Sequence, residues 1–227
     1  MDYTYSEIAK MIDHSLLSPA LTDQELEDGC RLAVEYDVAS ACVKPYYLGR
    51  CSELLAGSAV AASTVIAFPH GGHTTAIKVA EARQAIRDGG SELDMVVNIG
   101  KVLTEDWNYV RDDIQAVVEA THAGGAIAKV IFENCYLQDR HKVRLCEICA
   151  GAGADFVKTS TGYASGGATI EDLKLMRKHS PPQVRVKAAG GIRTLDALLG
   201  VRAIGVARSG ATRTAEMLDE CRRRLGI

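Results

Sequence analysis

The sequence has no excess of basic residues and no long apolar run. Its 26 Lys and Arg residues are balanced by 29 Asp and Glu residues, which gives a formal net charge of -3. Because nucleic-acid-binding proteins usually carry a basic surface, we expect neither nucleic acid nor an acidic membrane as a partner. No apolar segment approaches the roughly twenty residues that span a bilayer, so we expect a soluble, cytoplasmic protein.

Cysteine and histidine form no pattern that is typical of a metal site or a disulfide framework. The seven cysteines are an odd number and are scattered along the chain. Cys146 and Cys149 have a CxxC spacing, but no second CxxC or histidine pair accompanies them. We therefore expect reduced thiols, with these two at buried helix positions. No His, Asp and Glu cluster has ligand-like spacing either, which argues against metal-dependent chemistry.

The order of the predicted elements favours a (β/α)8 barrel. A chain of 227 residues with 47% hydrophobic content can bury a core of that size, and nothing in it reads as a linker, so we expect one domain over residues 1–227. Eight strand-like runs alternate with helical segments. The predicted strands are residues 11–17, 38–43, 61–68, 91–99, 126–133, 156–158, 184–187 and 203–206. An open doubly wound sheet is the alternative, because the first strand and the penultimate helix are weakly marked.

Two lysines and one aspartate stand out at predicted strand ends. Lys158 and Lys187 close two successive strands, and Asp94 lies on an earlier one. In a parallel barrel such positions meet at one mouth. A second ammonium group and partial burial both favour the neutral, nucleophilic form of a lysine, so the three residues suit Schiff-base chemistry on a carbonyl. The ordinary alternative is that the lysines extend to solvent or form structural ion pairs.

Glycines are concentrated after the last three predicted strands. The sets are Gly162, Gly166 with Gly167, Gly190 with Gly191, and Gly210. Backbone N–H groups of such turns, at the starts of helices, can bind a phosphate. Turns between strands and helices also need glycine for conformational reasons alone. The late position in a barrel is what favours the phosphate interpretation.

Taken together, ordered segments along nearly the whole chain resemble the deoxyribose-phosphate aldolases. They are IDHSLL (12–17), VIAFP (65–69), ELDMVVNIG (92–100), AKVI (128–131) followed by Glu133, DFVKTSTG (155–162) and VKAAGGIRT (186–194). The resemblance implies a class I aldolase on a (β/α)8 barrel, with no metal and no organic cofactor. Such an enzyme reversibly cleaves 2-deoxy-D-ribose 5-phosphate into D-glyceraldehyde 3-phosphate and acetaldehyde.

The resemblance also implies roles for particular residues. Lys158 is expected to be the Schiff-base nucleophile, and Lys187 the neighbouring cation that lowers its pKa. Asp94 is expected to act in the proton transfers, through a water molecule. Cys42 matches a position near the acetaldehyde pocket, although a buried small residue would explain it as well. The substrate-binding candidates are Asp13, Cys42, Thr161, Gly162, Gly190, Gly191, Gly210, Thr212 and Arg213.

The sequence departs from the family pattern after the last predicted strand. The family commonly has a Gly-Thr-Ser-Ser type of run there, whereas this chain has SGATR at 209–213. Arg213 either binds the phosphate, points to solvent, or serves a different anionic substrate. The alternatives are therefore a Schiff-base aldolase for another anionic aldehyde, or a non-catalytic barrel that binds a phosphate ligand. A tyrosine-ended tail found in some members is lacking, so we expect no tail-assisted proton transfer. A homodimer would resemble the family, but no sequence feature requires it.

Overall fold

Eight short strands form the centre of the molecule. A computed structural model describes residues 2–227, and nearly every strand in it is followed by a helix. The strands are β1 (Ile12–Leu16), β2 (Ser40–Val43), β3 (Ala61–Ile66), β4 (Glu92–Val96), β5 (Ile127–Ile131), β6 (Phe156–Lys158), β7 (Arg185–Ala189) and β8 (Arg208–Ala211).

Within residues 2–227, ten α-helices surround these strands. They are α1 (Tyr5–Ala9), α2 (Asp23–Glu35), α3 (Leu48–Leu54), α4 (Thr75–Arg87), α5 (Ile99–Leu103), α6 (Trp107–Ala123), α7 (Asp139–Gly151), α8 (Ile170–His179), α9 (Leu195–Ala203) and α10 (Thr214–Leu225). Two 3-10 turns, Pro45–Tyr47 and Asn134–Tyr136, precede α3 and α7. Thr22 and Glu25 form the capping box that starts α2.

The strands close into a parallel barrel. Each strand pairs with its neighbour in chain order, and β1 pairs with β8, with Asp13 opposite Gly210. This closure confirms the (β/α)8 prediction and excludes the open doubly wound sheet. Because all strands run in the same direction, their C-terminal ends and the loops that follow them share one face.

Apolar residues fill the layer between the strands and the helices. Ile12, Met95, Val130, Val157 and Val186 are buried there. The interior of the barrel is different, because β1, β4, β5, β6 and β7 each carry a buried side chain of an ionisable residue. Within residues 2–227, no helix is long and apolar enough to cross a membrane.

The predicted eighth strand is wrong. Residues 203–206 lie at the end of α9 and in the turn after it, where Gly205 has φ of +91°. The actual strand, Arg208–Ala211, contains an arginine, a serine and a glycine. It has no apolar run because part of it faces a charged barrel interior, so a search for apolar periodicity does not detect it.

The prediction for the region after β4 is also wrong in its details. The strand ends at Val96, and the residues assigned to its end and to the following turn form the separate helix α5. The Asn98 side chain accepts a hydrogen bond from the backbone N–H of Lys101 and caps that helix. Glu105, with φ of +55°, then separates α5 from α6, which begins at Trp107.

Candidate active site

Two lysines share one carboxylate oxygen inside the barrel. The Nζ atoms of Lys158 and Lys187 lie 2.7 Å and 2.8 Å from Oδ2 of Asp94. All three side chains are buried, and Asp94 is fully so. Lys158 and Lys187 are direct partners in the pairing of β6 with β7, which places them side by side. The three residues that the sequence singles out therefore meet in space.

A second set of charged side chains surrounds this group. Lys129 lies 2.8 Å from Asp94 Oδ1 and 2.7 Å from Glu92 Oε2. Arg208 donates to Glu92 Oε1 at 3.1 Å and also to Asp13 Oδ1. The other oxygen of Asp13 contacts Lys187. One continuous network of ion pairs thus links β1, β4, β5, β6, β7 and β8.

The lysines of this network have opposite pKa shifts. Burial lowers the pKa of Lys158, the positive charge of Lys187 lowers it further, and Asp94 opposes both. Burial acts on Lys187 in the same direction, but the carboxylates of Asp13 and Asp94 raise its pKa well above the ordinary value. Lys158 is therefore the amine that most readily loses its proton, and Lys187 is the one that stays charged.

The carboxylates remain ionised despite their burial. Burial alone would raise the pKa of Asp94, but Lys129, Lys158 and Lys187 together hold it well below its usual value. The pKa of Asp13 is also lowered, because Lys187, Lys129 and Arg208 outweigh the effect of burial. Asp94 is thus held as a charged carboxylate between the two lysines.

A cavity of about 410 Å³ opens above the lysines. Lys158 and Lys187 lie at its base. Of the nine substrate-binding candidates, eight line the cavity: Asp13, Cys42, Thr161, Gly162, Gly190, Gly191, Gly210 and Thr212. The ninth, Arg213, does not line it; its side chain is exposed at the residue before α10. Arg193, on the loop after β7, does line the cavity, and the sequence analysis gave it no role.

The loops after β6 and β7 approach each other closely at two glycines. The Ala168 N–H lies 3.0 Å from the carbonyl oxygen of Ala189 and 3.1 Å from that of Gly190. A Cβ atom on Gly190, whose φ is +79°, would come within 2.9 Å of Gly167 Cα. A Cβ atom on Gly167 would come within 2.7 Å of the Gly190 backbone. Glycine is therefore required at both positions for the loops to line the cavity together.

Side chains hold the loop after β6 in place. Glu133 accepts hydrogen bonds from the backbone N–H of Thr161, at 3.1 Å, and from the Thr161 hydroxyl. The Tyr163 hydroxyl donates to the Leu17 carbonyl at 2.5 Å, and the Tyr163 ring meets the edge of Phe68 at a centroid distance of 5.2 Å. The loop after β6 is thereby tied to the loops after β1 and β3.

Two histidines, one lysine and two cysteines of other parts of the chain lie outside this cavity. His73 lies 3.4 Å from Glu81, His70 is exposed, and Lys44 donates to the Pro19 carbonyl at 3.2 Å. Cys146 and Cys149 are buried in α7, where burial raises the pKa of both thiols. Within residues 2–227, no group of three or more His, Cys, Asp and Glu side chains could hold a metal ion.

The barrel is parallel, and two of its lysines share one carboxylate next to a cavity. This arrangement is typical of aldolases that use a lysine as the nucleophile. The sequence matches the DeoC/LacD family aldolase pattern over residues 7–212. The chain belongs to this aldolase family. It is an enzyme, a carbon–carbon lyase.

Named relatives cover nearly the full chain. A deoxyribose-phosphate aldolase of Rhodopirellula baltica is 62% identical over 226 residues, which is 100% of this chain and 94% of that protein. One of Thermococcus gammatolerans is 44% identical and covers 95% of this chain and 97% of its own length. The tetrameric deoxyribose phosphate aldolase of Aeropyrum pernix superposes with a TM-score of 0.89 at 29% identity, over 96% of this chain and 92% of that one. A mandelate oxidase at 14% identity and a TM-score of 0.65 shares only the fold.

Four charged residues of the network and the cavity received no role from the sequence. Glu92 and Lys129 lie within segments that resemble the family, but their charges have no recognisable spacing along the chain. Arg208 lies on the strand that the apolar pattern missed. Arg193 follows the Gly190 and Gly191 pair, and that position was the one available signal for a cavity residue.

Proposed function

We propose that this chain, as a single domain over residues 1–227, is a class I aldolase that reversibly cleaves 2-deoxy-D-ribose 5-phosphate. The products are D-glyceraldehyde 3-phosphate and acetaldehyde, and Lys158 is the Schiff-base nucleophile. The observation that carries the residue assignment is the shared contact of Lys158 and Lys187 with Asp94 Oδ2, at 2.7 Å and 2.8 Å. The named relatives support the choice of substrate.

In the first step, neutral Lys158 attacks the C1 aldehyde carbon of the open-chain sugar. The carbinolamine that forms loses its hydroxyl group as water and becomes an iminium ion. Lys187 stays protonated next to this centre, so it is positioned to supply the proton that the departing oxygen needs. Two carboxylates contact Lys187 and keep it charged.

In the second step, the C2–C3 bond breaks. Its electron pair moves into the iminium system and forms an enamine on Lys158, while the C3 hydroxyl loses its proton and becomes the aldehyde of the three-carbon product. Protonation of the enamine at C2 and hydrolysis of the imine release acetaldehyde and restore Lys158. Asp94, which contacts both lysines, is the proton carrier between them.

The phosphate group is expected in the part of the cavity lined by the loops after β6, β7 and β8. Glycines in these loops leave their backbone N–H groups unshielded by side chains; they are Gly162, Gly190, Gly191 and Gly210. Arg193 provides a positive charge in the same part of the cavity. The idea of a different anionic substrate rested on residues 211–213. Ala211 and Thr212 line the cavity, but Arg213, the cation of that segment, does not. That observation favours the sugar phosphate over the alternative.

The test is reduction with sodium borohydride in the presence of 2-deoxyribose 5-phosphate, followed by intact and peptide mass spectrometry. We expect a stable adduct on the peptide that contains Lys158, and none in Lys158→Met. The matched control is Lys174→Met, an exposed lysine of α8, which should keep the adduct. A folded native protein that gives no adduct with this sugar but reacts with another anionic aldehyde would support the alternative substrate. An adduct on a different lysine would refute the assignment of Lys158.

A further inference from the structure

The charged network inside the barrel contains four cations and three carboxylates. The members in ion-pair contact are Lys129, Lys158, Lys187 and Arg208 on one side, and Asp13, Glu92 and Asp94 on the other. If every group were ionised, one positive charge would remain without a carboxylate in a buried site. Such a charge is costly, because protein around it solvates it much less well than water does.

The other groups near Lys158 do not offset this excess. Cys42 on β2 is buried, and burial raises the pKa of its thiol, so it stays uncharged. From β3, Val65 packs against Cys42 and carries no charge. Arg185 on β7 is only partly buried; it lies 4.0 Å over the ring of Phe156 and has no carboxylate partner among residues 2–227. On β1, His14 is also buried, but burial lowers its pKa to about 4, so it stays uncharged at neutral pH. After β5, the buried carboxylate of Glu133 accepts hydrogen bonds from Thr161 and forms no ion pair with a member of the network among residues 2–227.

The contacts determine which cation gives up its proton. Lys129 contacts Glu92 and Asp94 at 2.7 Å and 2.8 Å, besides a longer approach to Asp13. Lys187 has two carboxylate partners, and so has Arg208, which as a guanidinium does not deprotonate in proteins. Lys158 has one carboxylate partner, Asp94, and it shares that partner with Lys187 and Lys129. Lys158 is therefore the least compensated cation of the four.

We propose that Arg208 is a positioning residue that keeps Lys158 uncharged, by supplying the one positive charge that the three carboxylates cannot balance. The inference rests on the proposed function, because it assumes that neutral Lys158 is the nucleophile. Arg208 acts at a distance: it binds Asp13, Asp13 binds Lys187, and Lys187 shares Asp94 with Lys158. It does not line the cavity.

The charge count predicts opposite effects for two neighbouring substitutions. Arg208→Met removes the excess charge, so Lys158 can keep its proton at neutral pH. Glu92→Gln removes a carboxylate that contacts Arg208 and Lys129, raises the excess, and disfavours protonated Lys158 further. The double variant Arg208→Met/Glu92→Gln has three cations and two carboxylates, which restores an excess of one.

The experiment measures the rate of adduct formation with 2-deoxyribose 5-phosphate and sodium cyanoborohydride as a function of pH. For Arg208→Met we expect a rate about tenfold lower at neutral pH and a profile displaced upward by about one pH unit. For Glu92→Gln we expect a downward displacement. The double variant should return to within about threefold of the native rate, and Arg208→Lys, which keeps the charge, should also recover most of it.

A purely structural role for Arg208 predicts a different result. The double variant would then be at least as impaired as Arg208→Met, and the pH profiles of the variants would coincide with the native profile; either result overturns the proposal. Should Arg208→Met fail to fold, Arg208→Gln, which removes the charge but keeps hydrogen-bonding groups, takes its place in the same comparison with Arg208→Lys. The matched control is Arg222→Met, an arginine outside the barrel that lies over the rings of Tyr5 and Tyr36.

If the native protein forms no adduct on Lys158, the proposed function fails as well. If the native protein does form that adduct, the pH profiles test the role of Arg208 alone.

Discussion

Lys158 and Lys187 contact the same oxygen atom, Oδ2 of Asp94, at 2.7 Å and 2.8 Å. Two ammonium groups this close repel each other, and one carboxylate cannot fully neutralise both. Asp13 adds a second negative charge on the side of Lys187 only. This asymmetry separates the two lysines into a charged one and one whose pKa is lowered.

Lys187→Met should impair catalysis in a pH-dependent way. Without the neighbouring charge, the pKa of Lys158 rises, and the neutral fraction at pH 7 falls. We expect kcat/KM to drop about 100-fold at pH 7, with part of the loss recovered as the pH rises toward the new pKa of Lys158. Steady-state cleavage rates between pH 6 and 10 check this. A loss of equal size at every pH would show that Lys187 does not act through the protonation of Lys158.

Asp94→Asn should separate imine formation from proton transfer. The amide has nearly the same shape but cannot accept a proton, so steps that need Asp94 as a base should slow by about 10² to 10⁴-fold. Exchange of the acetaldehyde methyl hydrogens in D2O, followed by NMR, reports those steps. Borohydride trapping on Lys158 should persist, because removing a carboxylate further disfavours protonated Lys158. The exposed Asp112→Asn is the control, and undiminished exchange in Asp94→Asn would remove Asp94 from the proton path.

Arg193→Gln and Arg213→Gln form a matched pair that locates the phosphate. Arg193 lines the cavity and Arg213 does not. We expect Arg193→Gln to raise KM for 2-deoxyribose 5-phosphate about 10 to 100-fold, the size of a lost charge-assisted hydrogen bond, and Arg213→Gln to leave it nearly unchanged. Neither should alter KM for unphosphorylated 2-deoxyribose by much. The reverse pattern would return the phosphate contact to Arg213.

The protein should lose stability in mild acid because of His14. This side chain is buried, its Nδ1 lies 2.8 Å from the Thr214 hydroxyl oxygen, and burial lowers its pKa to about 4. Unfolded chains bind a proton at this residue below pH about 6.5, so the unfolded state is favoured as the pH falls from there toward 4. Between pH 7.5 and 5 the free energy of unfolding should decrease by roughly 2 kcal/mol from His14 alone.

Urea denaturation of His14→Gln at the two pH values measures this contribution. We expect the variant to show a smaller acid-dependent loss than the native protein, by about that amount. His70→Gln, which replaces an exposed histidine, should keep the full native loss. Equal losses in native protein and His14→Gln would mean that His14 is not buried in its neutral form.

The barrel and the two lysines proposed to be catalytic were predictable from local patterns. Seven of the eight strands lie within or close to the predicted runs, because a strand packed against helices shows an apolar segment that glycine or a capping residue ends. The glycine-rich turns after the late strands were also recognisable. The eighth strand was not, since Arg208, Ser209 and Gly210 have no apolar signature.

The charge arrangement is different, because only the tertiary structure decided it. The amino-acid sequence by itself determined the parallel barrel, the positions of Lys158 and Lys187 on neighbouring strands, and the family of the chain. It did not determine that Asp94 is shared, that Lys129 and Arg208 join the network, or that Arg213 lies outside the cavity. Ion pairs across a barrel join residues far apart in the chain, and their distances depend on strand register and closure. No spacing in the sequence encodes those distances, whereas the apolar period of a strand is a local property.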